Sequence, residues 1–500
     1  MSKYLYILML SLGLCLSGCS LEEEPYGFYS EDNFYRTVED AESALYYAYN
    51  TFSYNEYVRA IFYIHELATE TCDVKGEEGF GSQEINRWDY QLFGENEQLE
   101  LFYKYGYIAI NRANAVIDNI TASNLPDDFK SRVLGEAHFL RAWNYYYLAQ
   151  TFGLVPLHKQ TITAASQTAA PLAANMDELY DFIIADLRIA AEQLPVQRMV
   201  GRADQVAAQA LLAKAYLSIA SSKESQVSLY RDMQRDVTLM YDSAAYWSRK
   251  VLYDQSEYGL SPDLLSIYDT RKPEGPEHIF IMSMDKSGIN EGNFSSIDKM
   301  FIPYKNGGSL WFPNPDGTYT QATNMGWGVF VTTDLFANSF ADGDQRKSQL
   351  MAKRYYTKAD GSAWEDNDYY LTRKYVDPDF VGVKSSTRPF LIRFSDIALT
   401  FAEAVGPTAE GYQWVDAIRQ RAGLDGLPQG LGVAQFREAV FAERAFELAF
   451  EGKHLHDLRR KARITEADPR AAASGISEAQ AAFYPLPQKE IDLNPSIPRN

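Results

Sequence analysis

Apolar residues recur at helical spacing through most of this chain. Ala41, Ala44, Leu45, Ala48 and Phe52 fall on one stripe, the pattern of an amphipathic helix. Thr37-Val38-Glu39-Asp40 ahead of them has the form of a capping box, with Asp where Glu or Gln is usual. A second helix is predicted near 106–121, where Ile110, Ala113, Ile117 and Ile120 align. A third follows Pro126, with Phe129, Val133, Leu140 and Tyr147 on one face and Gly153 as its stop. Asn175-Met176-Asp177-Glu178 is a fuller capping box and opens a run through Leu179, Phe182, Leu187, Ala190 and Leu194. An Ala-rich helix is expected over 204–221 and another over 242–254. Helices resume at about 391–405, 408–422 and 433–451.

Helix after helix predicts a mostly α fold, a tetratricopeptide-like αα-superhelix scaffold with long loop-rich insertions and minor β structure. The strict repeat of about 34 residues seen in such arrays cannot be extracted, and long insertions account for that. The scaffold is assigned to about 35–254 and 391–463. Between them, 255–390 crowds Gly, Pro, Asn and aromatic residues together, as in Lys305-Asn306-Gly307-Gly308-Ser309-Leu310-Trp311-Phe312-Pro313. Strand-like pieces such as Ile279–Met284 are brief. A long loop-rich stretch is usually functional or disordered, and its aromatics argue against disorder. It is expected to be the ligand-facing surface of a single domain spanning 19–500.

The N-terminus adds a location. Lys3 precedes an apolar run from Tyr4 to Leu16, shorter than the roughly 20 residues that cross a bilayer. With a small-residue exit, this describes a secretory signal over residues 1–18. The exit, Leu16-Ser17-Gly18-Cys19, resembles the lipobox of bacterial lipoproteins, in which the cysteine is acylated. The plainer alternative is an ordinary signal in which Cys19 is incidental. Removing the signal would leave Cys72 and Cys19, the latter lipidated, so no intramolecular disulfide is expected. Ser20-Leu21-Glu22-Glu23-Glu24-Pro25 resembles a surface-export signal of Bacteroidetes lipoproteins; a solvated linker has the same composition.

Charge narrows the partners. With 67 acidic against 47 basic residues the formal net charge is −20, which argues against nucleic acid.

Several segments, in order, carry a family likeness. They are Phe34-Tyr35-Arg36-Thr37 through Leu45, Asn111-Arg112-Ala113-Asn114, Gly135-Glu136-Ala137-His138-Phe139-Leu140-Arg141-Ala142, Phe152-Gly153-Leu154-Val155-Pro156-Leu157, and Gly201-Arg202-Ala203 leading to Lys214. Most specific are Ile418-Arg419-Gln420-Arg421-Ala422-Gly423-Leu424, Glu443-Arg444 through Glu447, Phe450-Glu451-Gly452, Asp457-Leu458-Arg459-Arg460, and the closing Tyr484-Pro485-Leu486-Pro487 through Pro495. Together they resemble the SusD/RagB group of outer-membrane nutrient-binding lipoproteins over nearly the whole chain. One departure is His454, which stands where that group usually has arginine; a rearranged structural ion pair is expected there. The resemblance implies four tetratricopeptide-like units, a lipid anchor in the outer membrane facing the cell exterior, and a SusC-like TonB-dependent transporter as partner. It implies capture of oligosaccharides, or of peptides in the RagB manner, without catalysis or cofactor. The signature residues are then mostly structural.

Catalytic and metal motifs do not complete. His65-Glu66-Leu67-Ala68-Thr69 lacks the second histidine a zinc helix needs. His454 and His456, two residues apart on a helix, point away from each other, so no metal site is expected. No P-loop, nucleophile elbow or dinucleotide fingerprint occurs. A glycoside hydrolase stays open as an alternative, since its two carboxylates must lie about 5–9 Å apart, which a sequence does not reveal.

Sugars are recognised by flat aromatic faces with polar groups at the rim. Aromatics make up 14% of the chain, including 35 tyrosines, most of them needed for the core. The ligand candidates lie in loops beside polar residues: Phe80, Trp88, Tyr90, Tyr304, Trp311, Phe312 and Tyr319. Trp88 and Trp311 are expected to converge on one exposed surface. Trp364, in a hairpin-like insertion, ranks below these.

Overall fold

Thr37 caps the first helix, α1 (Val38–Tyr49), and Asp40 returns the bond, as the capping box predicts. In this computed structural model, residues 34–75, 79, 81–289, 293–305 and 308–499 are described. The signal, Cys19, the acidic run behind it and Phe80 lie outside those residues.

The chain continues through α2 (Asn55–Glu66), α3 (Glu97–Ala122), α4 (Asp127–Phe152), α5 (Met176–Gln193), α6 (Gln205–Glu224) and α7 (Val237–Tyr253). Each helix from α3 onward packs on the next. The C-terminal part adds α8 (Phe394–Val405), α9 (Ala409–Arg421), α10 (Val433–Glu447) and α11 (His454–Arg460), and α8 returns to pack on α7. α3 begins well before 106 because Asn96 accepts from the Gln98 and Leu99 N–H groups. α10 stops before 451, where Phe450 and Gly452 turn left-handed. α4 is buried on all sides from Phe139 to Phe152, and α6 from Val206 to Ser222. A helix buried all round is an interior helix, and these two, with their few polar side chains such as Arg141 and Lys214 buried as well, form the interior of the scaffold. No helix among the described residues is long and apolar enough to cross a membrane.

The C-terminal signature is an ion-pair lattice in the interior. Arg444 bonds Asp396 at 2.8 Å and Asp457 at 2.9 Å, and Asp396 also takes the buried Lys214 of α6. Arg393 reaches Glu277, Glu447 and Glu451 at 3.0, 2.7 and 2.8 Å. Arg346 joins Glu443 at 2.6 Å and Lys374 joins Glu451 at 2.8 Å. Glu277, Arg346, Lys374 and Arg393 come from the segment between α7 and α8, so the lattice bolts that segment to the scaffold. His454 bonds Glu70 at 2.7 Å, the rearranged pair expected at that position.

The segment between α7 and α8 is more ordered than its composition predicts. It supplies five strands of a six-stranded antiparallel sheet: β3 (Leu310–Pro313), β4 (Tyr319–Ala322), β5 (Phe330–Thr332), β6 (Met351–Tyr356) and β7 (Trp364–Thr372). The sixth, β1 (Cys72–Val74), comes from upstream, and the order is β1-β5-β7-β6-β3-β4. β2 (His278–Ile281) and β8 (Phe390–Arg393) form a separate pair. Strands of three or four residues give too short an alternation to stand out in sequence. Leu310, Phe312, Ala322, Tyr355 and Leu371 fill a small core under one face of the sheet.

Candidate functional site

Two walls of different origin face each other across a cleft of about 700 Å³. α2 contributes Glu56, Arg59 and Tyr63, and α3 contributes Glu97, Gln98 and Leu101. The spacing of 56, 59 and 63 puts them on one face of α2. Opposite them stand Tyr304, Met325, Gly326, Trp327 and Val329.

The second wall is shaped by backbone bonds. Tyr304 and Met325 form an antiparallel bridge. The Trp327 and Gly328 N–H groups both donate to the Lys299 carbonyl, at 2.6 and 3.0 Å, and Lys75 N–H donates to the Val329 carbonyl at 2.9 Å. Gly326 passes so close to Ile302 that a Cβ would fall 1.7 Å from its carbonyl oxygen, an approach open only to glycine.

These constraints hold a tryptophan out of the core. Trp327 is 40% exposed, with Tyr304 at 57% and Met325 at 43% beside it. The Arg59 guanidinium lies 4.7 Å from the indole centre and the Lys299 ammonium 5.1 Å, cation–π contacts that fix the ring. Flat apolar faces thus sit among carboxylate, amide and guanidinium groups at the rim. Asp298, beside Lys299, is buried, and burial pushes its carboxyl up to about 7. It does not line the cleft. Among the described residues no group of three or more His, Cys, Asp or Glu is arranged to hold a metal ion.

Of the aromatics predicted from sequence, Tyr304 alone lines this cleft among the described residues. Trp88 does not present its ring: it is 1% exposed, stacks on Tyr484 at 6.2 Å and donates its indole N–H to Asp468 at 3.3 Å. A loop tryptophan that finds an aromatic partner and a buried acceptor is a core residue. Phe312 is also core, because strand alternation turns it under the sheet onto Tyr355 and Leu371. Trp311 is half-buried on the other face, paired with Tyr356, so it does not converge with Trp88. Tyr319 lies on that same outer face. Tyr90 is half-buried against Phe93 and lines a separate hollow of about 770 Å³ with Arg87, Leu92 and Arg470. Trp327 was missed, although Gly326-Trp327-Gly328 carries a signal: a large ring between two glycines has little local cover.

A helical scaffold thus displays an aromatic cleft with charged and amide groups among its lining residues. Comparison with known proteins identifies the group. A family model described as "SusD family" matches residues 348–500, and one described as "Starch-binding associating with outer membrane" matches 30–217. The chain is similar to the SusD family in both its N-terminal and its C-terminal parts. It is 24% identical to SusD-like protein P2 of Formosa agariphila over 92% of this chain and 91% of that one. A SusD superfamily protein of Parabacteroides distasonis superposes with a TM-score of 0.75 at 23% identity, covering 92% and 98% of the two chains. A laminarin-binding SusD-like protein gives 0.76 at 20% identity, covering 93% and 99%. The SusD-superfamily likeness confirms the helical scaffold expected from the sequence.

Proposed function

We propose that this protein captures oligosaccharides in the cleft between α2, α3 and the Tyr304–Val329 wall and passes them on without cleaving them. The observation that carries this reading is Trp327, an indole fixed by two cations and left open beside the exposed Tyr304. The laminarin-binding relative of the same fold, and the starch-binding description of the family model matched by residues 30–217, support the sugar class. Delivery to a SusC-like TonB-dependent transporter, anchorage through lipid on Cys19 and exposure on the outer surface of the outer membrane complete the proposal, on the strength of the family likeness and the lipobox.

Magnitudes fit a capture site. Covering about 80–100 Å² of an aromatic face at ~25 cal/mol/Å² contributes roughly 2 kcal/mol. Two or three such contacts, less the cost of ordering the ligand, give dissociation constants from about millimolar to tens of micromolar. Such weak binding releases its ligand readily to a transporter.

Calorimetry with short neutral glucans tests the reading, with products analysed afterwards. Binding should occur, the glycan should be recovered intact, and Trp327→Ala should weaken binding about tenfold or more. Steady release of shorter sugars would favour the glycoside hydrolase alternative. Binding of peptides with every glycan failing would replace sugar capture by peptide capture.

A further inference from the structure

The two faces of the six-stranded sheet differ in a way the cleft does not explain. One face covers the small core around Phe312 and Tyr355. On the other, Trp311 of β3 pairs with Tyr356 of β6, and Tyr356 pairs with Trp364 of β7. Directly paired residues share a face, so three aromatic side chains stand in a row across neighbouring strands, a span of about 10 Å. Tyr319 of β4 extends the row, its ring centre 5.0 Å from that of Tyr356. None of the four belongs to, or packs against, a hydrophobic core among the described residues, and Trp364 is 54% exposed.

The row is held in place. Arg354 and Asp366, a cross-strand pair, form a two-point bond at 2.6 and 2.9 Å, and the guanidinium lies 5.3 Å from the Trp364 ring centre. The Tyr319 hydroxyl closes over the hairpin tip at Gly361, where φ is +70° and a Cβ would fall 2.0 Å from that oxygen. The flanking charges neutralise each other, and Gln321, opposite Trp311, adds an amide. A face of flat rings with compensated charge, on a protein of net charge −20, fits a neutral polymer of hydroxylated rings and not a phosphate backbone. Glu365, between Trp364 and Asp366 but pointing to the opposite face, takes a bond of 3.4 Å from Lys305, the neighbour of Tyr304.

We propose that Trp311, Tyr356 and Trp364, with Tyr319, form a second platform that grips a neutral polysaccharide chain outside the cleft. This rests on the reading of the cleft as a glycan site. The platform holds the polymer while the cleft takes a short stretch of it.

The test uses the whole chain without its signal segment, as wild type, Trp364→Ala/Tyr356→Ala and Trp327→Ala. Each is run in affinity electrophoresis against laminarin, soluble starch and xyloglucan, and in calorimetry with short oligosaccharides of whichever polymer the wild type binds. The platform variant should bind the short oligosaccharide like the wild type and lose at least about fivefold in affinity for the polymer. Trp327→Ala should lose the oligosaccharide and keep part of its retardation by the polymer. Unchanged polymer affinity in the platform variant overturns the proposal while leaving the cleft reading intact, and so does complete loss of retardation in Trp327→Ala alone. If the wild type binds no glycan, both readings fall together. If the wild type sediments as a dimer and the platform variant as a monomer, the face is covered by a second copy and the proposal is wrong.

Discussion

Arg393 donates to Glu447 across 2.7 Å, joining the strand that closes the long insertion to the helix that carries the C-terminal signature. Glu447 also receives Arg421 at 2.6 Å and Arg346 at 3.4 Å. Burial works to raise its carboxyl, yet Arg421 and Arg393 hold it well below the usual range. Removing one partner of a buried pair strands the other charges and costs about 3–5 kcal/mol. Glu447→Ala should therefore lower unfolding free energy by about that amount in denaturant titration. A loss below about 1 kcal/mol, the size of an exposed pair, would mean the lattice is not holding the insertion.

Trp88 and Trp327 should separate stability from binding. Trp88→Ala opens a hole against Tyr484 and leaves Asp468 without its indole donor, so it should cost about 3–5 kcal/mol of stability. Trp327→Ala removes an exposed ring and should leave the melting temperature nearly unchanged while weakening glycan binding. The paired measurement is thermal unfolding and ligand affinity on both variants. Early unfolding of Trp327→Ala would move that residue into the core.

Acid should destabilise one corner of the core. His65 and His456 lie with ring centres 4.3 Å apart, and neither ring nitrogen of His456 has a hydrogen-bond partner among the described residues. Burial pushes both imidazoles well below their ordinary value, and the nearby Arg459 and Lys453 add to it. The unfolded chain takes up these protons near pH 6.5 and the folded one does not. Their stabilising contribution is therefore complete above that pH and declines by up to about 1.4 kcal/mol per histidine per pH unit below it. His454, which Glu70 holds above its ordinary value despite burial, works in the opposite sense, as do Glu66 and Asp298, whose carboxyls burial pushes up to about 7. Comparing denaturant midpoints of wild type and His456→Phe at pH 7.5 and 5.5 isolates the imidazole. The variant should lose less stability on acidification, and equal losses would count against the mechanism.

Lipidation is checked directly. Labelled palmitate should enter the wild type expressed in a Gram-negative host and not Cys19→Ala, and the variant should leave the membrane fraction. Equal labelling of both would remove the anchor from the proposal.

The scaffold was legible because helices write long periodic signals: the Thr37 and Asn175 caps and the run through α6 stand where the pattern puts them. The sheet was not, since β3, β4 and β5 are too short for alternation to register, and their pairing joins residues as distant as Cys72 and Thr332. The cleft was half legible for the same reason. Tyr304 and Trp327 were both open to notice as aromatics in loops, but only folding brings Arg59 of α2 over the indole. Trp88 misled because a polar neighbourhood in sequence, Asn86-Arg87 before it and Asp89 after it, says nothing about Tyr484 and Asp468 arriving from the other end of the chain.

Those long-range arrivals bear on how the chain reaches its native state. Trp88 meets Asp468 across 380 positions and Glu70 meets His454 across 384, while the Tyr484 hydroxyl closes onto the Ile64 carbonyl across 420. The α2 region cannot complete its packing until the last helices have been made, so the slow, entropy-limited closure of a very large loop comes late. A nascent chain lacking α11 and the residues after it leaves Trp88, Glu70 and Ile64 without their partners and should remain open to proteases, whereas the full chain resists them. The helices from α3 to α7, which pack on their neighbours in sequence, do not wait in this way, so the α2 end of the scaffold is the part that closes last.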